Sequence, residues 1–249
     1  GPLYYINLDG QPERDTEMQS MCKYWELNPT RISAFDGRHN DLNHILEGNH
    51  DIGITPGEVG CVTSHLKAIK QWYETTDTPY AIFAEDDVSF DTARFWNFTW
   101  DEFVEKLPYD WDVVQLAIIN PGVVYAHMHA RWVNDFSTAC YMITRHHAKK
   151  LIEHHCVGDK FRLDQGVKPR PVADDLIYNC GRTYAIPLFH YKIELGSSIH
   201  PDHIEVFHKG SHKGILDHWR EQLAQMEDQS KLFEYDPYLG RIPPECQGK

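Results

Sequence analysis

The sequence predicts an α/β protein built on a mostly parallel, doubly wound central sheet with helices on both faces. Three observations carry this reading. Short β-branched and aromatic runs recur along the chain, amphipathic helical stretches separate them, and residues 79–84 form a strand-length apolar run without polar alternation, as expected of a central strand buried on both faces. Across 249 residues, 41% hydrophobic and 24% charged, the composition is that of an ordinary globular protein. No internal repeat, low-complexity tract or clear linker divides it, so residues 1–249 read as a single domain.

Leu3 to Leu8 is aromatic and β-branched and runs into Asp9-Gly10-Gln11-Pro12, a strand followed by a turn into a helix. Met18, Met21, Cys22 and Trp25 recur at three- and four-residue spacing, the inner face of that helix. A second short strand is expected at Arg31 to Phe35, closed by Asp36-Gly37, with a polar loop over 38–54. Thr55-Pro56-Gly57-Glu58 matches a capping box with proline at the first helical position. Behind it, Val59, Val62, Leu66, Ile69 and Tyr73 form one apolar stripe, and Cys61, His65, Ala68 and Trp72 a second beside it. The strand at 79–84 ends abruptly in Glu85-Asp86-Asp87. Further strands are expected at Trp111 to Ala117 and Ala139 to Ile143, with Thr144 capping a helix through His155. The pairs His146-His147 and His154-His155 on that helix read as solvent-facing. The segments 118–136 and 157–172 read as long loops. Ile215, Leu216, Trp219, Leu223 and Met226 sketch one late amphipathic helix ahead of a tail containing proline and glycine.

Composition excludes several function classes. With 24 Lys+Arg against 37 Asp+Glu, the formal charge of -13 has the wrong sign for holding nucleic acid by phosphate neutralisation. No run reaches the roughly 18–20 apolar residues a membrane span requires. The six cysteines show no CxxC pair, so they read as reduced thiols of a cytoplasmic protein. The opening Gly1-Pro2 looks like the scar of a cleaved tag, with a signal or domain removed upstream of residue 3.

The chemistry concentrates at the end of the 79–84 strand. Three consecutive carboxylates repel one another, and burial raises the cost, so Glu85-Asp86-Asp87 calls for a compensating charge. Oxygen-only ligands favour Mg²⁺ or Mn²⁺, commonly shared with substrate phosphates. Ligands of open α/β sheets bind outside the carboxyl ends of strands, which is where these acids stand. The competing reading is a solvated acidic loop.

The order Tyr5-Ile6-Asn7-Leu8-Asp9…Arg14, Ala34-Phe35-Asp36-Gly37, Gly57-Glu58-Val59-Gly60-Cys61-Val62-Thr63-Ser64-His65 and Ile82-Phe83-Ala84-Glu85-Asp86-Asp87-Val88 resembles glycosyltransferase family 25. The similarity runs from residue 3 to about 200, with Thr138 to Ile143 and Ala173-Asp174-Asp175-Leu176 resembling later blocks and 201–249 left as a C-terminal extension. The resemblance implies a GT-A, Rossmann-like fold and inverting transfer of galactose or glucose from a UDP-sugar to a hydroxyl on a glycan or protein side chain. It makes Asp87, with Glu85, the ligand of a Mn²⁺ or Mg²⁺, and Glu85 and Asp86 contacts through ribose or water. It places the donor against Asn7, Asp9, Arg14, Asp36, Ser64 and His65; read alone, His65 fits a hydrogen-bonded core histidine better than a ligand, and the motif moves it toward the donor site. Asp175, ahead of Asp174, is the implied base for the acceptor hydroxyl, although two acids opening a helix also complement its dipole. GT-A enzymes often recruit a late histidine to the metal; among His200, His203 and His208, His208 is favoured.

The segment 120–134, with Tyr125, His127, His129 and Trp132, matches no family block and is expected to shape the acceptor pocket. The late helix packs on the domain or mediates a homodimer. The main alternative is a catalytically inactive nucleotide- or carbohydrate-binding module on the same fold. A phosphohydrolase is disfavoured because the dense His/Asp clusters of two-metal sites are missing.

Overall fold

The computed structural model describes residues 1–122, 125–166, 170–192 and 209–235. Its order is β1 (Leu3–Asn7), α1 (Pro12–Tyr24), β2 (Thr30–Ser33), β3 (Leu46–Glu47), α2 (Pro56–Thr75), β4 (Tyr80–Glu85), β5 (Val88–Ser89), α3 (Trp100–Glu105), β6 (Val113–Ala117), β7 (His129–Ala130), β8 (Cys140–Thr144), α4 (Arg145–His155), β9 (Cys156–Val157), β10 (Lys160–Arg162), α5 (Ala173–Tyr178), β11 (Thr183–Tyr191) and α6 (Lys209–Glu221).

An eight-stranded sheet runs β2-β1-β4-β8-β6-β11-β5, with β7 also on β11. The pairs β1/β2, β1/β4 and β6/β11 are parallel, whereas β8 lies antiparallel between β4 and β6. Five strands therefore share one direction, and β8, β5 and β7 oppose them. The reversal of β8 has no signature in its own composition, because a strand buried on both faces is apolar whichever way it runs. The β1–β4 register sets Ile6 opposite Glu85, so Asn7 and Asp86 emerge side by side at the carboxyl edge.

Each face of the sheet carries its own core. Leu3 and Tyr5 point to the side covered by Met18 and Cys22 of α1, Phe103 of α3 and Trp219 of α6. Tyr4 and Ile6 point to the other, where they meet the α2 stripes and Ala148, Leu151 and Leu176 of α4 and α5. The capping box of α2 forms as its sequence predicts: Thr55 Oγ1 accepts from the Glu58 N–H and Glu58 Oε2 accepts from the Thr55 N–H. Glu58 is further held by Arg170 at 2.6 Å.

Several expectations change. The 38–54 loop contains β3, which pairs with β10 inside the supposed 157–172 loop. The 118–136 loop contains β7 and an Ile119–Phe136 bridge. Only one histidine of each pair on α4 faces solvent. His147 is buried with Nε2 2.9 Å from the Ile177 carbonyl, and His155 with Nδ1 2.9 Å from that of Arg162. Burial holds both below the ordinary imidazole range. The α6 helix packs on the sheet, its Trp219 indole donating to the Pro187 carbonyl at 2.7 Å. Among the described residues no helix is long and apolar enough to cross a membrane.

Candidate active site

A cleft opens at the carboxyl edge between the ends of β1 and β4 on one side and the first turns of α2 on the other. Asn7 Nδ2 donates to Asp86 Oδ2 at 2.7 Å, while Asn7 Oδ1 accepts from Arg31 Nε and Nη2 at 3.0 and 2.6 Å. Arg31 thereby fixes which way the Asn7 amide faces. It also pairs with Asp9 Oδ1 at 2.7 Å, and Ser33 donates to Asp9 Oδ2 at 2.8 Å. Arg14 reaches across from α1 to Asp86 Oδ1 at 2.6 Å and Asp87 Oδ2 at 3.3 Å.

The opposite wall depends on small residues. A Cβ on Gly60 would meet the Phe35 carbonyl at 2.5 Å and the Gly37 nitrogen at 2.8 Å, so glycine lets the 34–38 loop lie directly on α2. Ser64 holds that loop, with Oγ accepting from the Phe35 N–H at 2.8 Å and donating to the Gly60 carbonyl at 2.6 Å. Asp36 caps the loop's own turn, accepting from the Arg38 and His39 N–H groups. His65 lies at the cleft floor, 1% exposed, with Nδ1 3.0 Å from the Tyr141 hydroxyl and Nε2 3.4 Å from Glu85 Oε1. Thr138 Oγ1 donates to that same Glu85 oxygen at 2.7 Å.

The three acids are not equivalent. Burial pushes Glu85 up, but His65, Thr138 and Arg14 outweigh it and leave its carboxyl below the usual range. Burial raises Asp86 despite Arg14 and Asn7. Burial and repulsion from Glu85 carry Asp87 up to about 7, Arg14 offsetting only part of this. Asp87 Oδ1 is buried and has no hydrogen-bond partner among the described residues. The trio is short of positive charge and offers an open carboxylate oxygen, which fits a hard divalent cation.

Asp174, at the first turn of α5, faces the same region. Burial first, then repulsion from Glu85, push it up to about 6, while Arg131 and the Ser137 N–H draw it down. Its Oδ1 is buried with no hydrogen-bond partner among the described residues. Ser137 sits at φ 98°, a conformation a non-glycine residue adopts only when its surroundings impose it. Here the Ser137 carbonyl is held by Gln115 Nε2 at 2.9 Å and the Tyr178 hydroxyl at 2.8 Å. Asp175 instead accepts from Asn179 Nδ2 at 3.1 Å within α5. The structure thus brings Asp174, rather than Asp175, toward Glu85. His200, His203 and His208 lie outside the described residues. The end of β11 reaches the site through the Lys192 N–H, which donates to the Asp87 carbonyl at 2.7 Å.

Arg31 and Ser137 escape the sequence reading, and Thr138 and Tyr141 enter it only as members of a later block without a site role, since each acts through a long-range side-chain or loop contact. The unplaced segment does assemble: Tyr125 stacks on Trp132 with ring centroids 5.7 Å apart, and His129 contacts Trp132 at 4.5 Å. Arg131 lies over the Tyr178 ring at 4.8 Å, which brings this segment beside Asp174.

Residues 1–164 match the family model described as Glycosyltransferase family 25 (LPS biosynthesis protein). The chain belongs to glycosyltransferase family 25. The family match takes in the Asn7 turn, the α2 motif and the Glu85 trio but stops short of Asp174, narrower than the span to about 200 that the motifs suggest. A curated relative, the "Glycosyltransferase 25 family member" of Drosophila pseudoobscura pseudoobscura, is 25% identical over 100 residues, covering 36% of this chain and 16% of the relative. The chain therefore matches about a sixth of that relative's length. Among solved structures, A197 from STIV aligns at 13% identity and TM-score 0.40, over 76% of this chain and 82% of that one. The inositol-1-phosphate CTP transferase from T. maritima aligns at 10% identity and TM-score 0.35, over 80% and 74%.

Proposed function

We propose that this family 25 chain is a metal-dependent, inverting glycosyltransferase that moves a hexose, galactose or glucose, from a UDP-sugar to a hydroxyl on a glycan or protein side chain. The observation that carries the reading is the carboxylate trio at the end of β4, with Asp87 Oδ1 open and Arg14 lying across Asp86 and Asp87. Asp87, through its open Oδ1, would hold Mg²⁺ or Mn²⁺, which as a Lewis acid supplies charge to a departing diphosphate, while Asn7 and Arg14 occupy the Asp86 oxygens and Glu85, expected from the sequence as its fellow ligand, lies behind it. Glu85, held by Thr138 and facing His65, sets the field behind Asp87.

The chain's own groups account for the other steps. Arg14 is placed to exchange a carboxylate partner for a phosphate oxygen when the donor enters. Asn7, oriented by Arg31, and the 34–38 loop held by Ser64 form the walls against which a nucleotide would rest. Asp174, at about 6, is suited to take the proton of the acceptor hydroxyl near neutral pH, the Ser137 N–H holding its carboxylate.

A thermal-shift panel tests the reading, with UDP, GDP, CDP and ADP each added with Mn²⁺ or with a chelator. A ligand at about 100 times its dissociation constant adds about 2.7 kcal/mol, worth roughly 5–10 °C at this size. A shift specific to UDP with Mn²⁺ is expected, followed by transfer from a UDP-hexose. A shift with UDP but no turnover on any acceptor would favour a binding module, and no shift with any nucleotide would overturn the donor assignment.

A further inference from the structure

Beneath the acidic edge, the cleft floor carries a second and chemically different group of ligands. Cys61 and His65 lie one turn apart on the same face of α2, which is anchored at its start by the Thr55–Glu58 box. Glu85 enters from the end of β4. One ligand atom from each of Cys61, His65 and Glu85 lies within 4.8 Å of the other two. His65 Nε2 is buried and makes no hydrogen bond among the described residues; it points at Glu85 Oε1, 3.4 Å away. That separation is long for a hydrogen bond but suits two ligands of one ion: zinc bonds of about 2.0–2.2 Å at a tetrahedral angle put N and O about 3.4 Å apart. A shift of about 1 Å in the Cys61 side chain would complete the set, since zinc–sulfur bonds of about 2.3 Å place S about 3.6 Å from N and O.

We propose that Cys61, His65 and Glu85 form a three-ligand site for Zn²⁺ or a similarly soft divalent ion, distinct in its chemistry from the all-oxygen position at Asp87. Thiolate and imidazole select zinc and cobalt over manganese and magnesium, which prefer oxygen. Cys61 gives up its thiol proton to solvent as the metal–sulfur bond forms. His65 has an outer partner in place: with Nδ1–H donated to the Tyr141 hydroxyl at 3.0 Å, Nε2 presents its lone pair to the metal. Cys61 and Glu85 both line the cleft, so the fourth coordination position opens into it. A metal there ties α2 to β4 across the cleft floor.

Cobalt titration of the reduced, folded protein without nucleotide is the test. One equivalent of Co²⁺ should produce a near-ultraviolet sulfur-to-cobalt charge-transfer band that Zn²⁺ abolishes and equimolar Mn²⁺ does not. Cys61→Ser should lose the band, although Cys22, Cys140, Cys156, Cys180 and Cys246 remain. Tyr141→Phe should keep it while weakening Co²⁺ binding about 10- to 100-fold. No band at saturating Co²⁺, or a band unchanged in Cys61→Ser, overturns the assignment. Should Cys61→Ser fail to fold, Glu85→Gln decides: affinity reduced at least about tenfold supports the site, and unchanged affinity refutes it. The readout needs no nucleotide, so it stands or falls separately from the UDP–Mn²⁺ panel.

Discussion

Asp87→Asn should stabilise the protein in the absence of metal while abolishing transfer. The substitution keeps the side-chain shape and removes the ionisable group. With its carboxyl raised from 3.8 to about 7 by burial and Glu85, Asp87 is protonated in the folded chain at pH values where the unfolded chain has already ionised. The sign follows from the proton count. Between about pH 4 and 7 the folded state binds more protons, so the contribution of Asp87 is most favourable in acid and is lost as pH rises through 7. At about 1.4 kcal/mol per unit, keeping Asp87 ionised at pH 8 costs up to about 4 kcal/mol. Arg14 loses only its 3.3 Å contact and retains Asp86 at 2.6 Å. In chelator at pH 8, Asp87→Asn should therefore melt up to roughly 8–16 °C above wild type, and the gap should close by about pH 4. Adding Mn²⁺ with UDP should raise wild type and leave the variant unmoved, a trade of stability against function. Differential scanning fluorimetry across pH, with and without metal, reads all of this. A variant less stable than wild type at pH 8 in chelator, or a gap independent of pH, would refute the electrostatic argument, and a fully active variant would refute the metal role.

Other consequences are separable. Asp174→Asn should reduce kcat by two or more orders of magnitude with little change in UDP binding, whereas Asp175→Asn, which loses only its Asn179 contact, should stay within about tenfold of wild type; steady-state kinetics on the acceptor distinguishes them. Gly60→Ala drives a methyl into the Phe35 carbonyl and the Gly37 nitrogen, neither of which is a flexible side-chain end, so a loss of about 2 kcal/mol or more in urea unfolding is expected, together with weaker nucleotide binding. Asp135→Ala strips partners from Asn120 Nδ2, the Trp132 N–H and His129 Nε2, at 2.8, 2.8 and 3.1 Å, and should cost about 3 kcal/mol or more because all three partners are buried with it. A change below 1 kcal/mol would mean the segment does not depend on this hub.

By itself the sequence determined the alternation of strands and helices, the α2 start and the position of the acidic trio. These are local properties: hydrophobic period, a four-residue capping box and an apolar run that ends in charge. Asn7, Arg14, Ser64 and His65 were also legible, because they lie within a few residues of such signals and inside the blocks that mark the family, whereas Cys61 read only as part of a buried stripe. Tertiary structure alone decided the rest. Strand direction is set by which neighbours a chain segment meets, so the reversal of β8 between β4 and β6 could not be read from Cys140 to Thr144. The same holds for Arg31 orienting Asn7, Thr138 holding Glu85 and Tyr141 backing His65, each joined to its partner across 24 to 76 residues. It also separates Asp174 from Asp175, adjacent and chemically identical in the sequence. The helix places one carboxylate toward Glu85 and leaves the other with Asn179, and that 100° step, not the residue type, gives them different surroundings.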